Sequence, residues 1–483
     1  MKQSISKNVI RVSIKTVLTI LVPLITFPYV SRVLQLEAYG KNNFASTIVG
    51  YFVMLSGLGI STYAIREGSR VRREPHKLTQ LASEIFSVYS VSTLLASVLL
   101  LLAVFCIPKL ESYRVLILIY GLELILNLFG MDYILNVYED FTFLSRIQVL
   151  FQVISVPLTF LLVRSPDDLV IYVCIRLFAT KGAELLYGFR VRKYVHLQRV
   201  SLKSSFEKHI KPILYVFGSN VGSHIYLFSD TAILGWMNGD ADVGLYSAAS
   251  RIYVMYKEVF GAVYPVLVPQ LSESFGKEEF KSLFSRLVNM LFFAALPATT
   301  GLFMLSDNVI LIIAGQSYAD AIPTLRILCA ASLFAFCCIL LGFCVMMPAK
   351  MEKRFMIGTW CTAVFNIVTN ILLIPKLHQN GAAITTVFSE LLLAAVCYFS
   401  TRKIIDLRPC FRILGKDALG CAGIVLCCVF IKHFSFSLWA EAIICIVLSA
   451  GVYVLIEWAV ANPIFYDYLK ELNKLLPRSK KSV

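Results

Sequence analysis

Fourteen long apolar stretches follow one another along this sequence, and they constrain its fold more than any other feature. Hydrophobic residues make up 58% of the 483 residues and charged residues only 16%, against about 25% charged residues in a soluble domain. Each stretch has roughly the 20 residues that a helix needs to cross the hydrocarbon core of a bilayer. We therefore predict an all-α polytopic membrane protein with about 14 transmembrane helices, whose cores lie at residues 11–34, 43–65, 81–107, 113–136, 143–163, 168–189, 211–236, 243–271, 286–305, 322–347, 355–375, 381–400, 417–432 and 438–460.

Basic residues fall in short clusters between the apolar stretches. The formal charge of +15 therefore lies where loops are expected, which is typical of the cytoplasmic loops of a membrane protein. Placing both termini and every second loop in the cytoplasm puts 33 of the 45 Lys and Arg residues on that side. We expect a multi-pass protein with both termini in the cytoplasm and no nucleic-acid partner.

The sequence lacks the motifs and the loops that an enzyme would need. It contains no G-x-x-x-x-G-K-[ST] motif for nucleoside triphosphates and no ligand spacing typical of zinc. Most of its 13 cysteines lie in apolar stretches, where a free thiol behaves as a small buried hydrophobe. The longest outer region expected to be non-helical, residues 306–321, is too short for a catalytic domain. We expect no enzyme activity and no cofactor, and coupling to a proton or sodium gradient stays open.

Two halves of the chain repeat each other in outline. A basic loop near residues 190–211 separates two sets of six apolar stretches, and two more stretches follow. A shift of 204 positions superposes seven identical residues: Gly40 on Gly244, Ala45 on Ala249, Ser46 on Ser250, Ile48 on Ile252, Gly57 on Gly261, Glu74 on Glu278 and Lys77 on Lys281. An even number of crossings in each half makes this a parallel repeat.

The repeat predicts two six-helix lobes around a central cavity, a typical transporter architecture. The expected divisions are an N-terminal lobe at 1–190, a basic cytoplasmic linker at 191–210, a C-terminal lobe at 211–400, and helices 13 and 14 with a basic cytoplasmic tail at 401–483.

Several segments resemble the motifs of one transporter family. They occur in matching order along nearly the whole chain: ITFPYVSRVLQLEAYGKNNFA (Ile25–Ala45), GISTYAIRE (Gly59–Glu67), SDTAILGWM (Ser229–Met237), VGLYSAASRI (Val243–Ile252), VYPVLVPQLSE (Val263–Glu273) and IPKLHQNGAAITTVFSE (Ile374–Glu390). In this respect the chain is similar to the Wzx-type oligosaccharide flippases of the multidrug/oligosaccharidyl-lipid/polysaccharide exporter superfamily.

The resemblance implies a substrate and a mechanism. Its expected substrate is an undecaprenyl-pyrophosphate-linked oligosaccharide repeat unit, which is flipped across the bacterial cytoplasmic membrane for the assembly of a surface polysaccharide. Alternating access would carry the sugar head group through the cavity while the polyprenyl tail stays in lipid. The expected partners are this lipid-linked substrate, membrane lipids and other proteins of polysaccharide assembly.

Charged residues inside the apolar stretches are the candidates for the transport site. Charges in lipid are rare and either line a wet cavity or pair inside the bundle. From the helical rise, Asp230 lies about 9 Å and Arg251 about 12 Å from the outer ends of two consecutive helices. A transported pyrophosphate needs cationic donors, and the guanidinium group suits it best. The candidate cavity residues are Arg251, Asp230, Arg32, Arg66, Lys257, Arg176 and Glu390.

Each candidate also has a purely structural interpretation. Asp230 and Arg251 could pair with each other, because both lie at a similar depth. Arg32 could extend to the interface at the outer end of its helix, and Arg66 belongs to a basic cluster at the cytoplasmic end of helix 2. The resemblance to the related lipid II flippases favours a cavity role for Arg251, since their matching motif contains a cavity arginine.

Two alternative functions remain open at this point. A lipid II-type flippase for peptidoglycan precursors is the nearer alternative, although its motifs are matched only in part. A drug or cation antiporter of the same superfamily is the other. Such antiporters depend on intramembrane acids, typically in helix 1, and the first apolar stretch of this chain contains none.

Overall fold

The computed structural model describes residues 2–261 and 264–475, and within these ranges the chain forms helices and no strands. Residues 262–263 of the predicted segment 243–271 and residues 476–483 of the predicted tail lie outside the described residues. The α-helices are α1 (Lys2–Gly57), α2 (Ile60–Val71), α3 (Pro75–Cys106), α4 (Arg114–Gly130), α5 (Asp132–Val137), α6 (Phe141–Leu162), α7 (Leu169–Val191), α8 (Leu202–Met237), α9 (Asp240–Gly261), α10 (Tyr264–Ser274), α11 (Glu278–Met304), α12 (Ser306–Ile313), α13 (Ile322–Cys338), α14 (Glu352–Thr401), α15 (Arg408–Lys432), α16 (Leu438–Ala459) and α17 (Pro463–Leu475).

The predicted fold class is confirmed. In the described part of the chain, nine helical stretches are long and apolar enough to cross a membrane. Two of them, Val22–Val71 and Glu352–Thr401, have 50 residues each, which is more than twice the length that one crossing needs. The chain is therefore an all-α, multi-pass membrane protein, and the number of 14 crossings stays a prediction.

Both of the 50-residue stretches are interrupted by residues with non-helical backbone angles. In α1 the break lies at Gln35, with φ 61° and ψ −178°. In α14 it lies at His378, with φ 53° and ψ −137°. The first break falls between the predicted cores 11–34 and 43–65, and the second between 355–375 and 381–400. The sequence therefore locates both turns to within a few residues.

The prediction for residues 306–321 is wrong, because most of this region is helical. Ser306–Ile313 forms α12, and Gln316–Ala321 forms a 3₁₀ turn that leads into α13. The apolar run in α12 has only eight residues. It is therefore too short to be predicted as a membrane crossing from its length. The tail also contains a helix, α17, over residues 463–475.

After α13 the backbone widens into a π-helix at Ile339–Met346. This segment packs against α10, and most of its side chains are buried. A π-helix bonds residue i to i+5, is rare, and frequently occurs at functional sites.

The helices form two compact units. One contains the residues up to Ser247 together with Ala363–Ala382, and the other contains Ala248–Thr362 together with the chain from Ala383 onward. The core of the first unit includes Tyr133 and Ile60, and that of the second is rich in phenylalanine.

Within the first unit, two glycines make a reciprocal contact. A methyl group on Gly40 would overlap the carbonyl oxygen of Asp240, and one on Gly244 would lie 2.5 Å from the carbonyl oxygen of Leu36. Gly40 and Gly244 are 204 positions apart, and so are Leu36 and Asp240. A contact in which i meets j and j meets i indicates a local two-fold relation.

The same shift relates two backbone breaks. Gln35 has φ 61° and Gly239 has φ 114°, and these residues are also 204 positions apart. Each of them comes immediately before one of the two segments that meet through Gly40 and Gly244. The sequence repeat is therefore reproduced in the backbone at this place.

We expect Gly40→Ala to destabilise the protein. The added methyl group overlaps a backbone carbonyl that cannot move without shifting its helix, and overpacking of this kind costs about 1–3 kcal/mol. Gly301→Ala in α11 is the matched control, because nothing lies within 4 Å of its added methyl group, and its stability should stay within about 1 kcal/mol of the parent. Thermal unfolding of the detergent-purified proteins measures both. Equal melting temperatures for the two variants would contradict the close contact.

Candidate functional site

Asp230 lies on α8 and is 6% exposed. Its Oδ2 accepts a hydrogen bond from the hydroxyl of Tyr246 at 2.5 Å. Its Oδ1 accepts from the Nδ2 atoms of Asn366 at 3.1 Å and Asn370 at 2.6 Å. The two asparagines lie four residues apart on α14, so they share one helix face. Three uncharged donors therefore hold a buried carboxylate, which satisfies the general rule for buried polar groups.

The partners of Asp230 were not predicted from the sequence, although one signal was present. Asn366-Ile367-Val368-Thr369-Asn370 places two amides at positions i and i+4 of an otherwise apolar helix. Such spacing marks a polar line on one face of a helix. It does not show which other helix supplies the acid.

Arg251 is the predicted cation that has no partner within the part of the chain that the structure describes. It lies on α9 and is partly buried. Its guanidinium group makes no ion pair or hydrogen bond to any residue in the ranges 2–261 and 264–475. Five N–H donors in a fixed fork therefore remain available to an anion.

Lys257 and Glu390 are two predicted site residues that the structure brings together. The Nζ atom of Lys257 lies 3.3 Å from Oε1 of Glu390 and 5.1 Å from the ring centroid of Tyr253. The hydroxyl of Tyr253 donates to the same Oε1 atom at 3.2 Å. Glu390 is 4% exposed, so this carboxylate has its charge balanced inside the second unit. The pair links α9 to α14.

Arg176 lies on α7 among tyrosines. Its guanidinium carbon is 5.7 Å from the ring centroid of Tyr120, and Tyr39 and Tyr172 also interact with it electrostatically. Ring faces and hydroxyl oxygens thus surround this cation. The buried hydroxyl of Tyr120 donates to Oδ1 of Asn42 at 2.6 Å.

The remaining two predicted residues are exposed. Arg32 lies on α1, three residues before the break at Gln35. Arg66 lies on α2, where its Nε donates to Oε1 of Glu67 at 3.0 Å and its guanidinium carbon is 5.6 Å from the ring centroid of Tyr63.

The first unit also contains a cavity of about 540 Å³. Its lining comes from seven helices, α1 to α5, α7 and α8. The charged lining residues are Glu123, Asp132, Lys181 and Glu184. Lys181 is 3.0 Å from Glu123 and donates to Oδ1 of Asn127 at 2.8 Å. With three carboxylates and one ammonium group, the cavity is acidic.

This acidic cavity was not predicted from the sequence. Its charged residues are distributed over α4, α5 and α7, and no short motif joins them. No group of three or more His, Cys, Asp or Glu side chains in the described ranges is arranged to hold a metal ion.

Comparison with known proteins decides the family. The profile of the polysaccharide biosynthesis protein family matches residues 5–275, which is more than half of the chain. The chain belongs to this family. The family resemblance indicated by the sequence motifs is thereby confirmed.

One relative and two solved structures extend this result. The putative O-antigen transporter of Escherichia coli (strain K12) is 22% identical over 417 residues, which is 83% of this chain and 98% of the relative. The inward closed conformation of the lipid II flippase MurJ superposes with a TM-score of 0.76 at 16% identity, covering 95% of this chain and 99% of MurJ. An inward-facing multidrug resistance transporter of the MATE family and MOP superfamily superposes with a TM-score of 0.57 at 15% identity, covering 82% and 97%.

The chain is thus a multi-pass membrane protein of the polysaccharide biosynthesis protein family, and its fold is similar to that of the two superposed transporters. The matched proteins are described as transporters and flippases, which confirms the expectation that the chain is not an enzyme.

We expect the pairing of Lys257 with Glu390 to contribute to stability. Lys257→Met leaves a buried carboxylate without its counter-charge, and breaking a fully buried pair costs about 3–5 kcal/mol. Because Lys257 keeps a quarter of its surface exposed, we expect a loss of about 2 kcal/mol. The double variant Lys257→Met/Glu390→Gln should recover at least half of this lost stability, since it also removes the buried negative charge of Glu390.

Thermal unfolding in detergent measures this effect, with Lys281→Met as the control. The pair of Lys281 with Glu278 is exposed on both sides, so its loss should cost less than about 0.5 kcal/mol. A Lys257→Met variant as stable as that control would contradict a structural role for the pair.

Proposed function

We propose that this chain is a secondary transporter that flips an undecaprenyl-pyrophosphate-linked oligosaccharide repeat unit across the bacterial cytoplasmic membrane. The product serves the assembly of a surface polysaccharide such as an O-antigen, a capsule or an exopolysaccharide. Family membership and the similarity to a putative O-antigen transporter support this class of substrate. Both termini lie in the cytoplasm, as the distribution of basic residues favours.

The proposed site depends on a single observation, which concerns the partners of Arg251. The other intramembrane ionisable groups that we predicted are hydrogen-bonded, ion-paired or packed among tyrosines. Arg251, by contrast, has no partner among the described residues. An arginine that is partly buried and unpaired is costly in lipid, so such residues mark substrate pathways.

The chemistry of the guanidinium group fits a pyrophosphate. It presents parallel N–H groups that bind two phosphate oxygens at once, and these charge-assisted hydrogen bonds are roughly twice as strong as neutral ones. Its charge does not depend on pH in the physiological range. In the proposed cycle Arg251 holds the pyrophosphate of the substrate while the protein alternates between inward and outward access. Any coupling to a proton or sodium gradient would drive this alternation.

We expect Arg251→Ala to reduce transport by about 30-fold or more, the equivalent of about 2 kcal/mol of lost binding. Arg251→Lys should restore part of the rate, because it keeps the charge but loses the bidentate geometry. The measurement is the flipping of a fluorescent undecaprenyl-pyrophosphate oligosaccharide in proteoliposomes, together with surface polysaccharide in cells that lack their own flippase.

Arg354→Ala is the matched control, since Arg354 is an exposed arginine at the start of α14. It should transport at the parental rate. Wild-type surface polysaccharide in the Arg251→Ala strain, at equal protein level in the membrane, would show that the proposed cationic site is wrong.

A further inference from the structure

A second cavity of the first unit lies where α7 ends and the linker to α8 begins. Its volume is about 500 Å³, which is in the range of sites that hold a small molecule. The lining comes from the ends of α3, α4 and α7 and from the linker, and we call it the linker cavity. Most of its lining side chains are apolar, among them Phe86, Phe129, Met131, Leu185, Phe189 and Leu197.

The linker that forms one wall of this cavity is held at two points. The hydroxyl of Tyr194 donates to Oδ2 of Asp140 at 2.9 Å. Further along, the backbone N–H of Gln198 donates to the hydroxyl oxygen of Ser83 at 3.0 Å. The residues between these two contacts, 195–197, all line the cavity. The fold therefore holds this wall in place by hydrogen bonds to other elements.

The charge of the linker cavity comes from an arginine. Within the described chain its lining includes Arg192 and no carboxylate. The guanidinium carbon of Arg192 lies 5.3 Å from the ring centroid of Phe189, and the group has no ion-pair or hydrogen-bond partner in the part of the chain that the structure describes. Arg190, two residues earlier, is by contrast paired with Asp140 at 3.0 Å. The N–H donors of Arg192 are therefore available to an anion.

His196 adds a second polar group to the same lining. Its side chain is exposed, and no hydrogen bond or ion pair occupies its ring nitrogens within residues 2–261 and 264–475. A histidine ring carries at least one N–H donor in either protonation state. Arg192 and His196 thus supply donors to one cavity whose lining has no acidic group. This balance favours a ligand that carries an anionic group.

The apolar part of the lining indicates the rest of the ligand. Phe129 and Phe189 keep 58% and 66% of their surface exposed, so the cavity is open on the side where these rings lie. The basic residues around this end of α7 are typical of the cytoplasmic membrane surface, where lipid head groups lie. A phosphate on Arg192 with hydrocarbon chains against the phenylalanine rings is the arrangement of an anionic phospholipid. A zwitterionic lipid finds no carboxylate in this lining for its ammonium group.

We propose that the linker cavity binds an anionic phospholipid of the cytoplasmic leaflet, with its phosphate on Arg192 and His196 and its chains on the apolar lining. This lipid is a bound ligand and not the transported substrate. Because it contacts both α7 and the linker, it ties the start of the linker to the membrane surface. The residues involved belong to the first unit and Arg251 to the second, so the inference does not depend on the function proposed above.

Native mass spectrometry of the full-length, detergent-purified protein tests this binding. The probes are phosphatidylglycerol and phosphatidylethanolamine with identical acyl chains, each added over a range of concentrations. We expect one phosphatidylglycerol to bind about 10-fold more tightly than phosphatidylethanolamine, a factor that one charge-assisted contact can supply. Phosphatidylglycerol should also raise the melting temperature of the protein, because a ligand that binds only the folded state stabilises it.

Variants at exposed positions then locate the site. Arg192→Ala should weaken phosphatidylglycerol binding about 10-fold and abolish the rise in melting temperature. Lys193→Ala is the matched control, because Lys193 is an exposed neighbour of the same charge outside the lining, and its loss should change the affinity less than about 2-fold. Leu197→Trp fills the cavity and should block binding, whereas Leu202→Trp, exposed on α8 outside the lining, should not. Melting temperatures without added lipid check that each variant keeps its fold.

Three results would overturn the proposal. Equal affinities for the two lipids, or equal effects of Arg192→Ala and Lys193→Ala, would mean that the lipid follows the surface charge as a whole. Binding of undecaprenyl phosphate that depends on Arg192 and is tighter than that of phosphatidylglycerol would assign the cavity to a polyprenyl carrier. Since binding and not flipping is measured, the lipid site can fail while the proposed function holds, and the proposed function can fail while the lipid site holds.

Discussion

Within a bilayer every backbone amide must find its hydrogen-bond partner inside the protein, and this requirement shapes the whole chain. Within the hydrocarbon region a helix can break only where protein or a water-filled cavity satisfies the freed groups. Two backbone breaks of this chain, at Gln35 and Gly239, lie next to segments that touch through Gly40 and Gly244. Only glycine allows two backbones to approach this closely. The local two-fold contact therefore holds α1 against the start of α9 within the first unit.

The same low-dielectric environment decides where charge can lie. Asp230 is held by amide and hydroxyl donors, and Glu390 by a lysine. Both arrangements stabilise a carboxylate within a compact unit, and neither leaves much capacity for a substrate. Arg251 is the exception, because it has no ion-pair or hydrogen-bond partner among the described residues.

The sequence predicts the helical class well because a membrane crossing needs a continuous apolar run, and such runs are local. It also locates the turns at Gln35 and His378, and it identifies Asp230, Lys257 and Glu390 as intramembrane charges. It fails where the determining contacts are distant. Asn366 and Asn370 reach Asp230 from α14, more than 130 positions away. The acidic cavity combines α4, α5 and α7, and α12 is too short to register as a crossing.

The backbone at Gln35 has a consequence of its own. Its φ of 61° and ψ of −178° lie in a region that essentially only glycine occupies, and other residues held there cost about 1–3 kcal/mol. At the equivalent position, 204 residues on, the chain has Gly239, which adopts a positive φ without that cost. The two halves of the repeat thus have a similar backbone turn at this position, but the turn costs conformational free energy only in the first half. The conformation at the first break therefore depends on the packing around it, whereas the second break needs no such support.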